Sequence, residues 1–206
     1  MLGVLGAWVK RLTAPYRRAT SEDAPKMAEL VNIASHGLAL YLWGKQAGAG
    51  ESPWDVGLKR ARRGIGGFAY RNTVVREAEG RIAAGLVSYP LRDAPQLYDQ
   101  VPIMLAPMFE LENIVPGTWF VNVLATYAEH RGKGYGTELL RIAEMLARDA
   151  KCAGLSLVVS DGNTGALRLY ERNGYVEHAT RSIVKEKWEH SGKNWVLLVK
   201  DLPSAF

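Results

Sequence analysis

The sequence predicts a mixed α/β domain, and three observations carry that prediction. Asn72–Ala78 and Arg81–Tyr89 are alternating, β-branched segments separated by Glu79-Gly80, the pattern of two strands joined by a tight turn. Between Gly136 and Ala150, Leu139, Leu140, Ala143, Leu146, Ala147 and Ala150 fall on one helical stripe, with Arg141, Glu144 and Arg148 off it. That is a helix lying on a sheet. The apolar run Trp119–Thr126 leads into it through Arg131-Gly132-Lys133-Gly134-Tyr135-Gly136, a glycine turn from strand to helix.

The other elements follow in order. Residues 1–15 read as an apolar leader segment that packs on the domain or frays, and 16–206 as one domain. Tyr16–Ala19 is a short strand. Thr20 is an N-cap with Asp23 in the capping-box position and Pro25 in the first turn. Met27, Leu30, Val31 and Ala34 then carry a helix to about Ser35, with Gly37 just beyond. Gly44–Ser52 reads as a loop and Trp54–Arg63 as a second short helix, ended by Gly64-Ile65-Gly66-Gly67. Between Pro90 and Gly117 stand five prolines, which exclude regular strand and leave room for an irregular helix within Gln100–Glu112. A connection of that length is either the wall of a substrate site or a surface excursion. Leu155–Ser160 is a strand, Thr164–Arg172 a helix closed by Asn173-Gly174, and Tyr175–Lys185 with Asn194–Lys200 a final antiparallel pair.

Composition excludes several classes. With 48% hydrophobic and 23% charged residues among 206, the chain has the profile of an ordinary soluble domain. A net charge of +5 suits an anionic ligand but is too small to imply nucleic acid. The run Lys59-Arg60-Ala61-Arg62-Arg63 reads as a solvated helix face, with contact to RNA or a cofactor phosphate as the alternative; nucleic acid is not expected as a partner. A single cysteine, Cys152, allows no intrachain disulfide and points to a reducing compartment. His36, His130, His178 and His190 lack partners at metal-ligand spacing, so no metal is expected. The first charges follow the apolar N-terminus instead of preceding it, and no apolar run reaches membrane-spanning length. The expected location is cytoplasmic, with no membrane partner.

The glycine segment carries the chemistry. Its glycines keep side chains away from a ligand, the helix start behind them presents unpaired N–H groups, and Arg131 and Lys133 add positive charge. This holds an anion such as phosphate or pyrophosphate. A P-loop needs Gly-Lys-Ser/Thr after four intervening residues, which is missing here. A dinucleotide fingerprint would need a third glycine where Thr137 stands.

Arg-x-x-Gly-x-Gly after a strand containing Val123-Leu124-Ala125 resembles the acetyl-coenzyme A loop of the GNAT superfamily of N-acetyltransferases. Downstream, Asn163, Ala166, Leu169, Tyr170, Gly174 and Tyr175 match the family's Asn-x-x-Ala-x-x-Leu-Tyr-x-x-x-Gly-Phe/Tyr run. The resemblance implies a central, mostly antiparallel sheet of six or seven strands flanked by about four helices. It also implies acetyl-CoA as cosubstrate. Arg131, Gly132, Lys133, Gly134, Tyr135, Gly136 and Thr137 would hold the pyrophosphate, while the backbone of Val123, Leu124 and Ala125 would pair with the pantetheine arm. Asn163 would touch that arm, and Tyr170 would be the general acid that protonates the departing thiolate.

A base is also needed to free the attacking amine. Glu112 and Glu110, just before the cofactor strand, are the candidates, with Asp99 behind them and Asn122 able only to orient water. His130 reads as a loop side chain and Cys152 as a structural thiol. The expected reaction is acetyl transfer to a primary amine of a small molecule or peptide, by direct attack in a ternary complex. The alternative is a non-catalytic acyl-CoA sensor or adaptor. A homodimer through the final strands, which hold Trp188 and Trp195, is an implication of the resemblance.

Overall fold

The computed structural model describes residues 12–91 and 101–203. Most of the leader segment (1–11), Asp99 and the start of the proline-rich stretch lie outside the described residues. Seven strands form a sheet: β1 (Tyr16–Arg18), β2 (Thr73–Ala78), β3 (Arg81–Pro90), β4 (Trp119–Thr126), β5 (Gly154–Ser160), β6 (Val176–Ser182) and β7 (Asn194–Asp201). Their order is β1-β2-β3-β4-β5-β7-β6. Pairing is antiparallel for β1–β2, β2–β3, β5–β7 and β6–β7 and parallel for β4–β5, where Trp119 faces Leu155 and Phe120 faces Ser156. Six α-helices stand among the described residues: α1 (Ala24–Ala34), α2 (Leu38–Gln46), α3 (Pro53–Ala61), α4 (Ala106–Asn113), α5 (Tyr135–Asp149) and α6 (Thr164–Arg172).

Contacts gather in two compact units, the described residues of Met1–Ser88 with Asn122–Leu139, and those of Tyr89–Val121 with Leu140–Phe206. In the first, the Thr20 amide donates to the Asp23 carboxylate at 2.7 Å, which realises the capping box ahead of α1. The β2–β3 turn is as the sequence requires, with Glu79 at φ 53° and Gly80 at φ 73°. Met27 of α1 packs with Ala19, Ala24, Ala61 and Val75. Trp43 of α2 packs with Ala28 of α1 and Val56 of α3, and stacks on Phe68.

That second cluster explains a correction. The sequence leaves 38–43 unassigned and reads Gly44–Ser52 as a loop, yet α2 runs to Gln46. Leu38, Leu42 and Trp43 bury against neighbours supplied by other elements, and this tertiary burial outweighs the unfavourable Gly44 in the last turn. With α2 and α4, the described residues hold six α-helices where the resemblance implied about four.

In the second unit, β7 lies between β5 and β6, so the last two strands pair with each other while only β7 reaches β5. At Gly154 the strands come so close that a Cβ would stand 2.6 Å from the Lys200 carbonyl oxygen. The proline-rich excursion is closed at its base, where Leu91 N–H donates to Thr118 O at 2.8 Å and Gly117 N–H to Leu91 O at 3.3 Å. Within it, Met104, Leu111 and Val115 are buried, and α4 packs against β5, β6 and β7.

Candidate active site

In the first unit, the strand-to-loop passage is set by the alternation of β4. Val123 and Ala125 are buried and anchor the strand, while Asn122, Leu124 and Thr126 are only partly covered. A short 3-10 turn at Ala128–His130 follows, then the glycine loop. Gly132 and Gly134 both adopt left-handed backbone, at φ 75° and 84°, and a Cβ on either would meet nothing within 4 Å. These glycines are therefore required by conformation, and the space over the loop is open. Gly136 differs: it lies inside the first turn of α5, so the alternate-glycine reading applies to two positions, not three.

Arg131, Gly132, Lys133 and Gly134 are exposed. The Glu138 N–H donates to Gly134 O at 3.1 Å, the first bond of α5. The helix's earlier N–H groups, at Tyr135, Gly136 and Thr137, have no intrahelical acceptor. Arg131 Nε donates to Thr126 O at 3.4 Å, and Lys133 Nζ lies 3.4 Å from His130 Nδ1. The His130 ring stacks on Tyr135, with centroids 6.2 Å apart, which ties it to the loop. Positive field, open surface and unpaired donors converge here, and these residues fit a pyrophosphate.

The second unit holds the proton-transfer candidates. Asn163 caps α6, its Oδ1 accepting from the Ala166 N–H at 3.2 Å. Tyr170, on α6, is 8% exposed and meets Tyr175 edge-on at 5.8 Å. Burial raises its hydroxyl well above the ordinary phenol range, so it holds its proton at neutral pH. Glu112 stands near the end of α4, partly buried, and burial lifts its carboxyl to about 7. Tyr89 lies close enough to Glu112 to feel its charge, and its own phenol is pushed upward, first by burial and then by that carboxylate. Glu110 is different. It is exposed and its carboxylate accepts from Arg181 Nε at 2.9 Å.

The remaining candidates are placed as follows. Lys59 pairs with Glu51, while Arg62 and Arg63 are solvent-exposed, and Arg60 is depressed by burial and then by Arg63. Cys152 is partly exposed, and burial raises its thiol. Trp188 and Trp195 are buried and stack at 6.1 Å. No three histidine, cysteine or acidic side chains gather as metal ligands among the described residues. Among the same residues, no helix is long and apolar enough to cross a membrane.

The sequence reading missed a group beside the loop: Arg76 of β2, Tyr16 of β1 and Glu138 of α5. Arg76 lies over the Tyr135 ring at 3.3 Å and 3.5 Å from Glu138, which also accepts a hydrogen bond from the Tyr16 hydroxyl. No spacing signal joins residues about 60 positions apart, so only folding could reveal them.

The sequence profile of the acetyltransferase (GNAT) family matches residues 45–175, a span that holds both the glycine loop and the Asn163–Tyr175 run. The chain belongs to the GNAT acetyltransferase family. Acetyl-CoA, the acetyl donor of that family, agrees with the anion-holding loop. Solved structures share the fold. A crystallised acetyltransferase is 21% identical with a TM-score of 0.63, over 90% of this chain and 98% of that one. An N-acetyltransferase from Staphylococcus aureus Mu50 is 20% identical with a TM-score of 0.59, over 90% and 100%. An IAA acetyltransferase from Bacillus cereus ATCC 14579 is 16% identical with a TM-score of 0.56, over 91% and 98%. No curated protein matches the chain in sequence.

Proposed function

We propose that this chain transfers the acetyl group of acetyl-CoA to a primary amine of a small molecule or peptide, by direct attack of the amine within a ternary complex. Arg131 to Thr137 would take the pyrophosphate, the β4 backbone at Val123, Leu124 and Ala125 the pantetheine arm, and Asn163 a further contact to that arm. The observation that carries the reading is the pair of left-handed glycines, Gly132 and Gly134, in an open loop at the start of α5.

The proton balance supplies further support. A neutral amine must lose a proton as the N–C bond forms, and the thiolate must gain one as the C–S bond breaks. Glu112, lifted to about 7 by burial, is matched to the first task at neutral pH; Glu110, committed to Arg181, is the weaker base. Tyr170, protonated at neutral pH and placed by the family motif, would take the second. The acids Glu110 and Glu112 and the aromatic Phe109 of α4 favour a cationic amine with an apolar skeleton.

The test is calorimetric titration with acetyl-CoA, beside an Arg131→Ala, Gly134→Trp variant, followed by thiol release over a panel of amines. Saturable binding that the variant loses, with amine-dependent thiol release, is the expected result. In Tyr170→Phe, turnover should fall about a hundredfold while acetyl-CoA affinity holds. Binding without turnover in either form would identify a sensor. No binding by the native chain would overturn the acetyltransferase reading.

A further inference from the structure

We propose that Arg76 is a positioning residue for the phosphate loop: it neutralises Glu138, an acid in the first turn of the helix that must meet an anion, and braces Tyr135 beside it. The inference rests on the reading of that loop as the pyrophosphate site.

A carboxylate in a helix's first turn stabilises the helix, because it faces the positive end of the dipole. Beside an anion-binding loop the same charge works against the ligand. Glu138 stands in that turn with its side chain 42% exposed. Arg76 comes to it from β2, at a register shift between Arg76 and Glu77 where the strand's alternation breaks. Its guanidinium carbon sits 3.3 Å from the centre of the Tyr135 ring, a close cation–π contact. Nη1 donates to the Glu77 carbonyl at 3.0 Å, and Nε lies 3.5 Å from Glu138 Oε2. The Arg76 side chain is only 15% exposed, and its buried Nε has no hydrogen-bond partner among the described residues. A cation this desolvated needs its counter-charge, and Glu138 is the carboxylate at hand.

Tyr16 completes the arrangement by donating its hydroxyl to the same Oε2. Burial, and then that hydrogen bond, push the Tyr16 phenol up to about 12, so its proton stays in place. Glu138 is thus held between a cation and a phenol proton, and its charge is offset where an incoming phosphate would otherwise be repelled. Tyr135, at the junction of loop and helix, is fixed by the same guanidinium.

The experiment titrates CoA calorimetrically into the native chain, Arg76→Gln, Glu138→Gln and the double variant, at low and at high salt. Arg76→Gln should weaken CoA binding about tenfold at low salt, with a deficit that shrinks as salt screens the exposed carboxylate. Adding Glu138→Gln should restore affinity to within about twofold of the native chain. Glu138→Gln alone, which keeps Arg76, should bind CoA more tightly than the native chain, and it tests the idea even if Arg76→Gln does not fold. A double variant no better than Arg76→Gln, a salt-independent deficit, or weaker binding by Glu138→Gln would overturn the role of Arg76. Loss of CoA binding in the native chain would instead overturn the loop reading on which it rests.

Discussion

Glu112 and Glu110 sit two residues apart, and their environments separate them. Glu110 is exposed and paired with Arg181, an arrangement of little energetic consequence. Glu112 is turned into a partly buried setting that lifts its carboxyl from 4.5 to about 7. A carboxyl raised in this way costs stability once it ionises: the fold is fully relieved of the penalty below the unfolded value and carries all of it above about pH 7. Glu112→Gln should therefore unfold at the same or higher denaturant concentration than the native chain at pH 8. Its thiol-release rate should fall, and the acid limb near pH 7 should vanish from the kcat/KM profile. An unchanged profile would remove Glu112 from the base role. The choice of two candidate acids was legible in the sequence. Their different burial was not, because it depends on how α4 packs against strands far along the chain.

At the scale of elements, α2 and α3 meet through a glycine. A Cβ on Gly57 of α3 would stand 2.5 to 2.9 Å from three ring atoms of Trp43, an indole only 3% exposed. In isolation a Gly→Ala change would favour helix by about 1 kcal/mol. Here the rigid indole has nowhere to go, so Gly57→Ala should destabilise the protein by about 1–3 kcal/mol in denaturant unfolding, against its helix propensity. A stabilised Gly57→Ala would show that α2 and α3 pack less tightly than described. Elements with local signals were read well: the Thr20–Asp23 cap, the Glu79-Gly80 turn and the amphipathic α5 each write their geometry into adjacent residues. The helix α2 starts from Gly37 at φ 84°, which has no side chain to cap it; its first N–H groups at Ala39 and Leu40 donate instead to Ser35 Oγ at 3.1 Å and Asn32 Oδ1 at 3.2 Å. Its existence follows from what covers Trp43, and covering is not a local property.

At the scale of the whole molecule, the pairing of β5 with β7 includes a close approach of backbone at Gly154. Gly154 lets β7 lie against β5 where a side chain would press on the Lys200 carbonyl, and backbone cannot yield as a side chain can. Gly154→Ala should cost about 3 kcal/mol in unfolding experiments, more than Gly57→Ala, and a cost below about 0.5 kcal/mol would contradict the register. By itself, the sequence determined the class of fold, the strand-to-helix glycine turn and the two motifs that place the chain among GNAT acetyltransferases. These depend on periodicity, turn chemistry and spacing, which act over a few residues. Tertiary structure alone decided the insertion of β7 between β5 and β6, the burial that sets Glu112 apart from Glu110, and the meeting of Arg76, Tyr16 and Glu138. Those outcomes come from desolvation and charge pairing between distant residues, and neither quantity exists until the chain has folded.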